Sequence, residues 1–462
     1  MKKIISFLIA AVLSVSVVAT AVGCGGPKGN VEEGATVIQM YAMNFEEYQT
    51  SWYEQVKDEF NSILDDGWQL DVKYFDKPSY SGAFQAAKEN GTAPDIFWTS
   101  PGNTYNSVIK MNTAEPLDDL MGEEYINDLQ DWVKPSITFG GKVMCWPLYR
   151  EPSTMLFYSK SLFEQAGITK VPTTWTELLD ACAKLKSIVS KGQFVLGIPT
   201  QTAIAWSTVG LQVNTTGGRA VDDSWTQCRV NENEAGWQSL VGLFYDIQAG
   251  GYAPGAALTD EYDNIVTMLC EGALAMTMGM STGLATAYRT YPEDADDIGY
   301  AIMPTWEDGL GQNATTASNG GWSLFISNTS SDIKKQGAAE VLKFFTNKSA
   351  ERGASFFETS VYSRAIPFKS VQEYVDNDTD IPEALKERQA LVSKVSSTAC
   401  AEADYAWAIT NEVGQMFAKM YQVDHATANR QQTIVDTIKS CRQTIEGIIT
   451  ASTYEPNTNY KG

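Results

Sequence analysis

Histidine is almost missing from this chain, which holds only His425 among its 462 residues. Motifs that signal catalysis or a bound cofactor are missing too: there is no C-x-x-C pair, no H-E-x-x-H, no Walker A loop and no glycine-rich dinucleotide fingerprint. The spacing typical of zinc sites is therefore absent. No cofactor and no metal ion is predicted, and no specific motif supports an enzyme.

Positive charge is also scarce: the chain has 34 Lys and Arg against 56 Asp and Glu, which gives a net charge of -22. Nucleic acids and anionic lipid surfaces attract basic proteins, so this balance argues against either as a partner. A protein that faces outward into solution fits the composition better.

Only one long apolar run occurs, and it lies at the start of the chain. Lys2 and Lys3 precede the run from Ile4 to Ala19, and small residues lead to Cys24. This order is typical of an export signal, and its end resembles a bacterial lipobox. We expect a signal peptide at 1–23, a lipidated Cys24 with a flexible tether at 24–34, and anchoring at the extracellular face of the cell membrane. Ordinary cleavage that leaves a free Cys24 is the alternative.

Six further cysteines follow Cys24. Cys182 and Cys441 continue the apolar faces of two predicted helices and so resemble small core side chains. We expect mostly free, buried thiols, with a single disulfide as the alternative in an exported protein.

Strand and helix patterns alternate through the first part of the folded chain, which favours a largely parallel sheet covered by helices. In such sheets, ligands bind beyond the carboxyl ends of the strands, so loops 44–48 and 100–105 are candidate binding loops. A second block begins near Pro152, and the last third is helical. The predicted strands are 36–43, 69–75, 95–99, 154–158, 194–199, 273–278, 298–303 and 322–327. The predicted helices are 46–64, 79–89, 175–188, 234–248, 382–396, 404–421 and 426–450, and more than one helix is predicted across 332–357.

The segment 279–283 matches G-x-S-x-G, the nucleophile elbow of serine hydrolases. Its Ser281 would need His425, which follows Asp424 at the start of the last long helix. A strand-to-helix turn built from small residues explains the same pattern without any catalysis.

The run Asp376 to Asp380, with Glu387 at the twelfth position, imitates a calcium-binding EF-hand loop. The sixth position needs glycine but holds Ile381, and a β-branched residue does not easily take a positive φ. A polar loop in which Asp380 caps the next helix is the simpler interpretation.

Aromatic residues are abundant, with 12 Trp and 21 Tyr. Indole and phenol rings stack on the apolar face of a sugar, while carboxylates, amides and Arg bind its hydroxyls. For any one Trp, packing in the core is the competing explanation. The tryptophans at predicted loop edges are Trp98, Trp146, Trp206, Trp322 and Trp407.

Several segments together resemble the solute-binding proteins of bacterial carbohydrate importers, the family that includes maltose-binding protein. The resemblance runs in order from about Thr36 to Ile449. Its motifs are Ala93-Pro94-Asp95-Ile96-Phe97-Trp98, Trp146-Pro147-Leu148-Tyr149-Arg150-Glu151, Pro172-Thr173-Thr174-Trp175-Thr176-Glu177-Leu178 and Glu271-Gly272-Ala273-Leu274-Ala275-Met276-Thr277.

This resemblance implies an α/β fold of two lobes, joined by a hinge, with the ligand in the cleft between them. The first lobe would be 35–150 plus 322–375, the second 152–320 plus 376–452, and 453–462 a polar tail. Glu47, Tyr48, Trp98, Glu151, Gln201 and Trp407 would take positions at the ligand. Trp98 and Trp407 would stack on sugar rings, with Trp322 as a further candidate. Glu47, Arg150, Glu151 and Gln201 would hold hydroxyls.

At one position this chain differs from the family, and the difference restricts which sugars are expected to bind. Maltose-binding protein has a stacking Trp where this chain has Met280-Ser281-Thr282, so a maltodextrin is disfavoured. We expect a monomer that captures a mono- or oligosaccharide without chemical change and delivers it to the membrane permease of an ABC transporter. A peptide or another polar solute is the alternative ligand.

Overall fold

The computed structural model describes residues 34–44, 47–63, 67–99, 112–199, 202–254, 262–401 and 407–451. Strands and helices alternate, as the sequence predicts for an α/β protein. The strands are β1 Thr36–Asn44, β2 Trp68–Asp76, β3 Ile96–Thr99, β4 Thr138–Phe139, β5 Lys142–Val143, β6 Trp146–Pro152, β7 Met155–Ser159, β8 Phe194–Gly197, β9 Leu274–Gly279, β10 Ile298–Ala301, β11 Ser318–Ile326 and β12 Cys400–Ala401. The helices are α1 Glu47–Ser62, α2 Lys77–Glu89, α3 Asp118–Met121, α4 Glu123–Asp128, α5 Lys160–Gln165, α6 Trp175–Lys186, α7 Thr202–Thr216, α8 Glu234–Ala249, α9 Tyr262–Cys270, α10 Gly283–Thr290, α11 Asp332–Phe345, α12 Ala350–Thr359, α13 Lys369–Asn377, α14 Glu383–Thr398, α15 Trp407–Gln422 and α16 Arg430–Ile449.

The first sheet has six strands: five lie in the order β12-β11-β3-β1-β2, and β6 also pairs with β11. β1 runs parallel to β2 and β3, whereas β11 is antiparallel to β3 and β6. All four residues of β3 are buried, as expected for a central strand covered on both faces. The carboxyl ends of β1, β2 and β3 therefore meet at one edge, which the sequence predicts to face the ligand.

The helix α1 covers one face of this sheet because its apolar residues recur at helical spacing. Trp52, Tyr53, Val56 and Phe60 are all at most 7% exposed. The Trp52 ring lies edge-on against the rings of Phe345 on α11 and Phe356 on α12, so residues about 300 positions apart share one core.

The second sheet has four strands in the order β10-β7-β9-β8. Only the pair β8 and β9 is parallel, since β7 runs antiparallel to β9 and β10. Helix α6 beside it begins at the predicted residue because its first turn is capped twice. The Thr174 hydroxyl accepts from Glu177 N at 3.3 Å, and the Glu177 carboxylate accepts from Thr173 N at 2.7 Å.

Two chain crossings are bonded to each other between the sheets. The first crossing joins β6 of the first sheet to β7 of the second sheet at Ser153. The second crossing enters β11 of the first sheet at Ala317 and Ser318. Ser153 N donates to Ser318 O at 2.9 Å, and Ser318 N donates to Ser153 Oγ at 3.0 Å. On the adjoining helix α7, a Cβ at Gly210 would lie 2.2 Å from the Ala317 backbone, so only glycine permits this contact.

Separate apolar cores form the interior of the two lobes. One core draws on residues 38–149 and 324–375. The other two draw on residues 155–303 and 392–445, apart from Ala365. The architecture is the predicted two-lobed α/β fold, while the residue boundaries of the lobes stay a prediction.

Most predicted elements are confirmed, including the helices predicted across 332–357, which are α11 and α12. Two predictions differ for physical reasons. Strand β11 begins at Ser318, earlier than predicted, because Gly320 and Gly321 pair with β6; Gly321 has φ +107°, and a Cβ there would lie 2.4 Å from Tyr149 O. Asp380 does not cap α14, which follows Pro382 without a side-chain cap.

Candidate functional site

The candidate site lies where β6 and β11 approach the hinge, which is formed by the two bonded chain crossings at Ser153 and Ser318. Glu151 is the second-last residue of β6, and it pairs with Gly320 on β11. A Cβ at Gly320 would lie 3.5 Å from Glu151 Cγ, so the Glu151 side chain lies directly beside this glycine. Glu151 is only 5% exposed, and a buried carboxylate needs a cationic or hydrogen-bonding partner.

Arg364 supplies that positive charge, although the sequence analysis did not single it out. Its Nε lies 3.8 Å from Glu151 Oε2, and its guanidinium carbon lies 4.1 Å from the ring centroid of Tyr149. Burial raises the pKa of Tyr53 well above its ordinary value, and the nearby Arg364 charge opposes that rise. An Arg between small and apolar neighbours, in Ser363-Arg364-Ala365-Ile366, was the signal in the sequence.

An aromatic group adjoins this charged pair. The Trp98 ring lies 5.3 Å from Tyr53 and 6.2 Å from Trp322, measured between ring centroids. Trp98 is 2% exposed, and its backbone N donates to the Tyr80 hydroxyl at 2.7 Å. Trp322, by contrast, is only partly buried. Trp322 is therefore the ring of this pair that can offer a face to a ligand, and Trp98 lies behind it.

Arg150 precedes Glu151 on β6. It is fully buried, and its guanidinium donates to Tyr149 O at 2.9 Å and Trp322 O at 3.3 Å. It also donates to the Ser136 and Ser323 hydroxyls at 3.3 and 3.1 Å. Arg150 thus links β6 to β11 through these hydrogen bonds, while its predicted contact with a ligand hydroxyl stays a prediction.

Trp98 lies against Trp322, and Trp322 and Glu151 lie on the paired strands β11 and β6. Contact of any of these residues with a ligand stays a prediction. Glu47 opens α1 and Trp407 opens α15. Their side chains, the side chain of Tyr48 and the whole of Gln201 and Cys24 lie outside the described residues, so those assignments stay predictions as well.

Ser281 and His425 occupy separate environments. Ser281 is fully buried, and its backbone N donates to Pro152 O at 3.2 Å beside the hinge. His425 Nε2 lies 2.9 Å from Met420 O, and its ring packs edge-on against Tyr245 on α8, with 4.4 Å between centroids. No described contact joins the two residues, and the small-residue turn explains the G-x-S-x-G pattern.

The acidic run near Asp376 does not form an EF-hand loop. Helix α13 continues to Asn377, and the Asp376 carboxylate accepts from Gln372 Nε2 at 2.9 Å. Asp380 N donates to Asp378 Oδ1 at 2.8 Å, which closes a local turn. Within the described ranges, no three His, Cys, Asp or Glu side chains gather closely enough to hold a metal ion.

All six cysteines in the described part of the chain are free thiols. Cys182 and Cys441 are fully buried, as predicted, and burial raises the pKa of both thiols. They serve as small core side chains. Among the helices of the described residues, none is both long enough and apolar enough to cross a membrane.

Comparison with known proteins adds an independent result. Residues 44–352 match the family described as bacterial extracellular solute-binding protein. Binding proteins of Brucella abortus and Brucella suis share 35% identity over 81 residues, which are 17% of this chain and 19% of theirs. The chain therefore aligns with about a fifth of the length of these curated relatives.

Solved structures resemble the whole fold. The cyclic alpha-maltosyl-1,6-maltose binding protein of Arthrobacter globiformis has a TM-score of 0.70 at 16% identity, over 90% of this chain and 100% of that one. UgpB of Mycobacterium tuberculosis, in complex with glycerophosphocholine, has a TM-score of 0.68 at 20% identity, over 89% and 98%. Since the family match covers about two thirds of the sequence, this chain belongs to the bacterial extracellular solute-binding protein family.

Proposed function

We propose that this protein captures a mono- or oligosaccharide in the cleft beside its hinge and delivers it to the membrane permease of an ABC transporter. One observation carries the sugar assignment: the partly exposed Trp322 pairs across the sheet with Tyr149, the Arg364 guanidinium lies over the Tyr149 ring, and Arg364 Nε lies 3.8 Å from the buried Glu151 carboxylate. A sugar offers an apolar face to such a ring and hydroxyls to such a pair.

Similar structures support this ligand class. Besides the maltoside-binding protein of Arthrobacter globiformis, a solute-binding protein of Thermotoga lettingae was solved with alpha-D-tagatose, at a TM-score of 0.69 and 17% identity, over 89% of this chain and 100% of that one. UgpB shows that the same fold also holds a phosphodiester. A polar solute of that kind, or a peptide, is the competing outcome of the test.

Binding would be reversible and would leave the sugar unchanged. The separate placement of Ser281 and His425 supports this, because a serine nucleophile needs a base within hydrogen-bond reach. The chemistry of the described site is that of recognition: a ring face, a carboxylate and a guanidinium.

After removal of the signal peptide 1–23, the lipidated Cys24 would hold the receptor at the extracellular face of the membrane, with the tether at 24–34 separating anchor from body. We propose that the receptor acts as a monomer and docks on the permease in its closed form. Sugar binding would favour that form, so that loaded receptor is preferred over empty receptor.

A thermal-shift screen of the mature protein tests the ligand class. The panel contains mono- and oligosaccharides, dipeptides and glycerophosphodiesters. A ligand that binds only the folded protein raises the melting temperature by mass action, so at least one sugar should raise it by several degrees. A shift with peptides or phosphodiesters alone would replace the sugar assignment.

A further inference from the structure

Helix α14 is in contact with the cores of both lobes. Near its start, Leu385 packs against the first-lobe core. Two turns later, Leu391 and Val392 pack with Met155 and Phe157 of the second lobe. A side chain in the middle of this helix therefore lies where the two lobes meet.

Arg388 occupies that middle position and is 1% exposed. Its guanidinium carbon lies 3.8 Å from the ring centroid of Tyr288 and 5.6 Å from that of Tyr300, both in the second lobe. Its Nη1 donates to Val361 O at 2.9 Å. No carboxylate of the described residues lies within ion-pair distance of it. The Arg388 guanidinium instead contacts two aromatic rings and one backbone carbonyl. A buried guanidinium with such partners is held by stacking and hydrogen bonding.

The carbonyl that Arg388 binds belongs to a strained turn. Val361 has φ +46° and Tyr362 has φ +57°, a left-handed conformation that is rare for any residue with a side chain and rarer for a β-branched one. Such a conformation persists only where surrounding contacts hold it. Here Val361 N donates to Glu358 O at 2.8 Å and Tyr362 N donates to Phe357 O at 2.9 Å, while Arg388 holds the carbonyl of Val361.

This turn leads directly into the candidate site. Arg364 follows Tyr362 by two residues, and it lies against Tyr149 and near Glu151. The next residue, Ala365, pairs with β6 through Arg150: its N donates to Arg150 O at 2.8 Å and its carbonyl accepts from Arg150 N at 3.2 Å. The backbone position of 361–365 therefore sets where the Arg364 guanidinium lies.

We propose that Arg388 is a positioning residue that couples the second lobe to the ligand site. Its contacts with Tyr288 and Tyr300 make Arg388 move with the second lobe. Its hydrogen bond to Val361 O restrains the turn that sets the position of Arg364. Movement of the second lobe relative to the first would then shift Arg364, so that lobe closure and ligand contact depend on each other. The link to ligand affinity rests on the proposed function, whereas the mechanical coupling does not.

Hydrogen exchange without ligand tests the coupling directly. In Arg388→Met the amides of 361–365 should exchange about tenfold faster, because the turn loses the hydrogen bond that restrains it. Arg388→Lys, which keeps the charge but lacks the planar group, should give a smaller change in the same direction. Arg430→Met is the matched control: Arg430 also lies over a ring, that of Tyr245, but contacts only the second lobe. It should leave exchange at 361–365 unchanged.

A second substitution separates positioning from general destabilisation. Glycine adopts positive φ without strain, so Val361→Gly should restore slow exchange at Ala365 in the Arg388→Met protein, together with ligand affinity. If exchange at 361–365 is the same in wild type, Arg388→Met and Arg388→Lys, or if Val361→Gly gives no rescue, the coupling is wrong. If the exchange results hold but no sugar binds the wild type, only the sugar assignment fails.

Discussion

Trp98 and Trp322 lie with their ring centroids 6.2 Å apart and their planes tilted by 44°. Trp98 is 2% exposed, while Trp322 is partly open. Trp322→Ala should therefore weaken sugar binding by about tenfold, the effect of losing one stacking contact, and should lower the melting temperature less than Trp98→Ala does. Trp98→Ala should lower both affinity and melting temperature, since it also removes buried volume.

Calorimetric titration and thermal melting measure these two effects. Trp68→Ala is the matched control, because Trp68 is also partly buried but begins β2 at the opposite end of the strand from the site. Equal loss of affinity in the Trp68 and Trp322 variants would show that Trp322 has no specific contact with the ligand.

Gly210 on α7 lies so close to the backbone of Ala317 that a larger side chain at position 210 should destabilise the protein. In Gly210→Ala the new Cβ would lie 2.2 Å from the backbone of Ala317. Helix α7 must therefore move away from the segment that leads into β11. We expect a loss of about 1–3 kcal/mol in the free energy of unfolding, or more, because backbone atoms cannot give way like a side-chain tip. Denaturant unfolding measures this loss.

Gly447 on the exposed side of α16 provides the control. A Cβ there meets nothing within 4 Å, and alanine is a better helix former than glycine. Gly447→Ala should raise the unfolding free energy by about 0.5–1 kcal/mol. A Gly210→Ala protein that is as stable as wild type would contradict the packing at the hinge.

The cap of α6 predicts a pH effect on stability. Hydrogen bonds from Thr173 N and from Lys170 lower the pKa of Glu177 from 4.5 to about 2. A carboxylate whose pKa is lower in the folded state stabilises the fold above its unfolded pKa, and that contribution is lost as the pH falls from about 4.5 towards 2. Glu177→Gln should therefore show a shallower loss of stability across this range, measured by urea unfolding at each pH. Identical slopes in both proteins would rule out the cap as the cause.

The anchor assignment predicts a change of location without a change of affinity. Cys24→Ala should release the protein from cells into the medium, since it lacks the residue that would carry the lipid. The released protein should bind its sugar as tightly as wild type, because the tether at 24–34 separates anchor from body. Fractionation with immunoblotting, together with titration of the released protein, checks both statements. A variant that stays membrane-bound would contradict the lipoprotein assignment.

Helices and strands were predicted well from the sequence where their buried apolar residues recur at a regular spacing. The strands β1 and β3 and the helix α1 carry uninterrupted apolar patterns, and their bounds differ little from those predicted.

The site was predictable only in part. Arg150 and Glu151 are consecutive on β6, and neighbouring residues of a strand face opposite sides of the sheet, so only one of them could face the cleft. Arg364 was missed because its place depends on positive φ at Val361 and Tyr362. Local sequence does not indicate such a turn when neither residue is glycine. The contacts of Arg388 join residues far apart in the chain, which no local pattern reveals.

Equilibrium dialysis of the mature protein against an isotope-labelled sugar, followed by NMR of the recovered sugar, tests the central claim most directly. The sugar is the one selected by the thermal-shift screen. We expect one equivalent to be bound per chain and to be recovered chemically unchanged after the protein is denatured. Binding of no sugar, or recovery of a cleaved product, would contradict reversible capture.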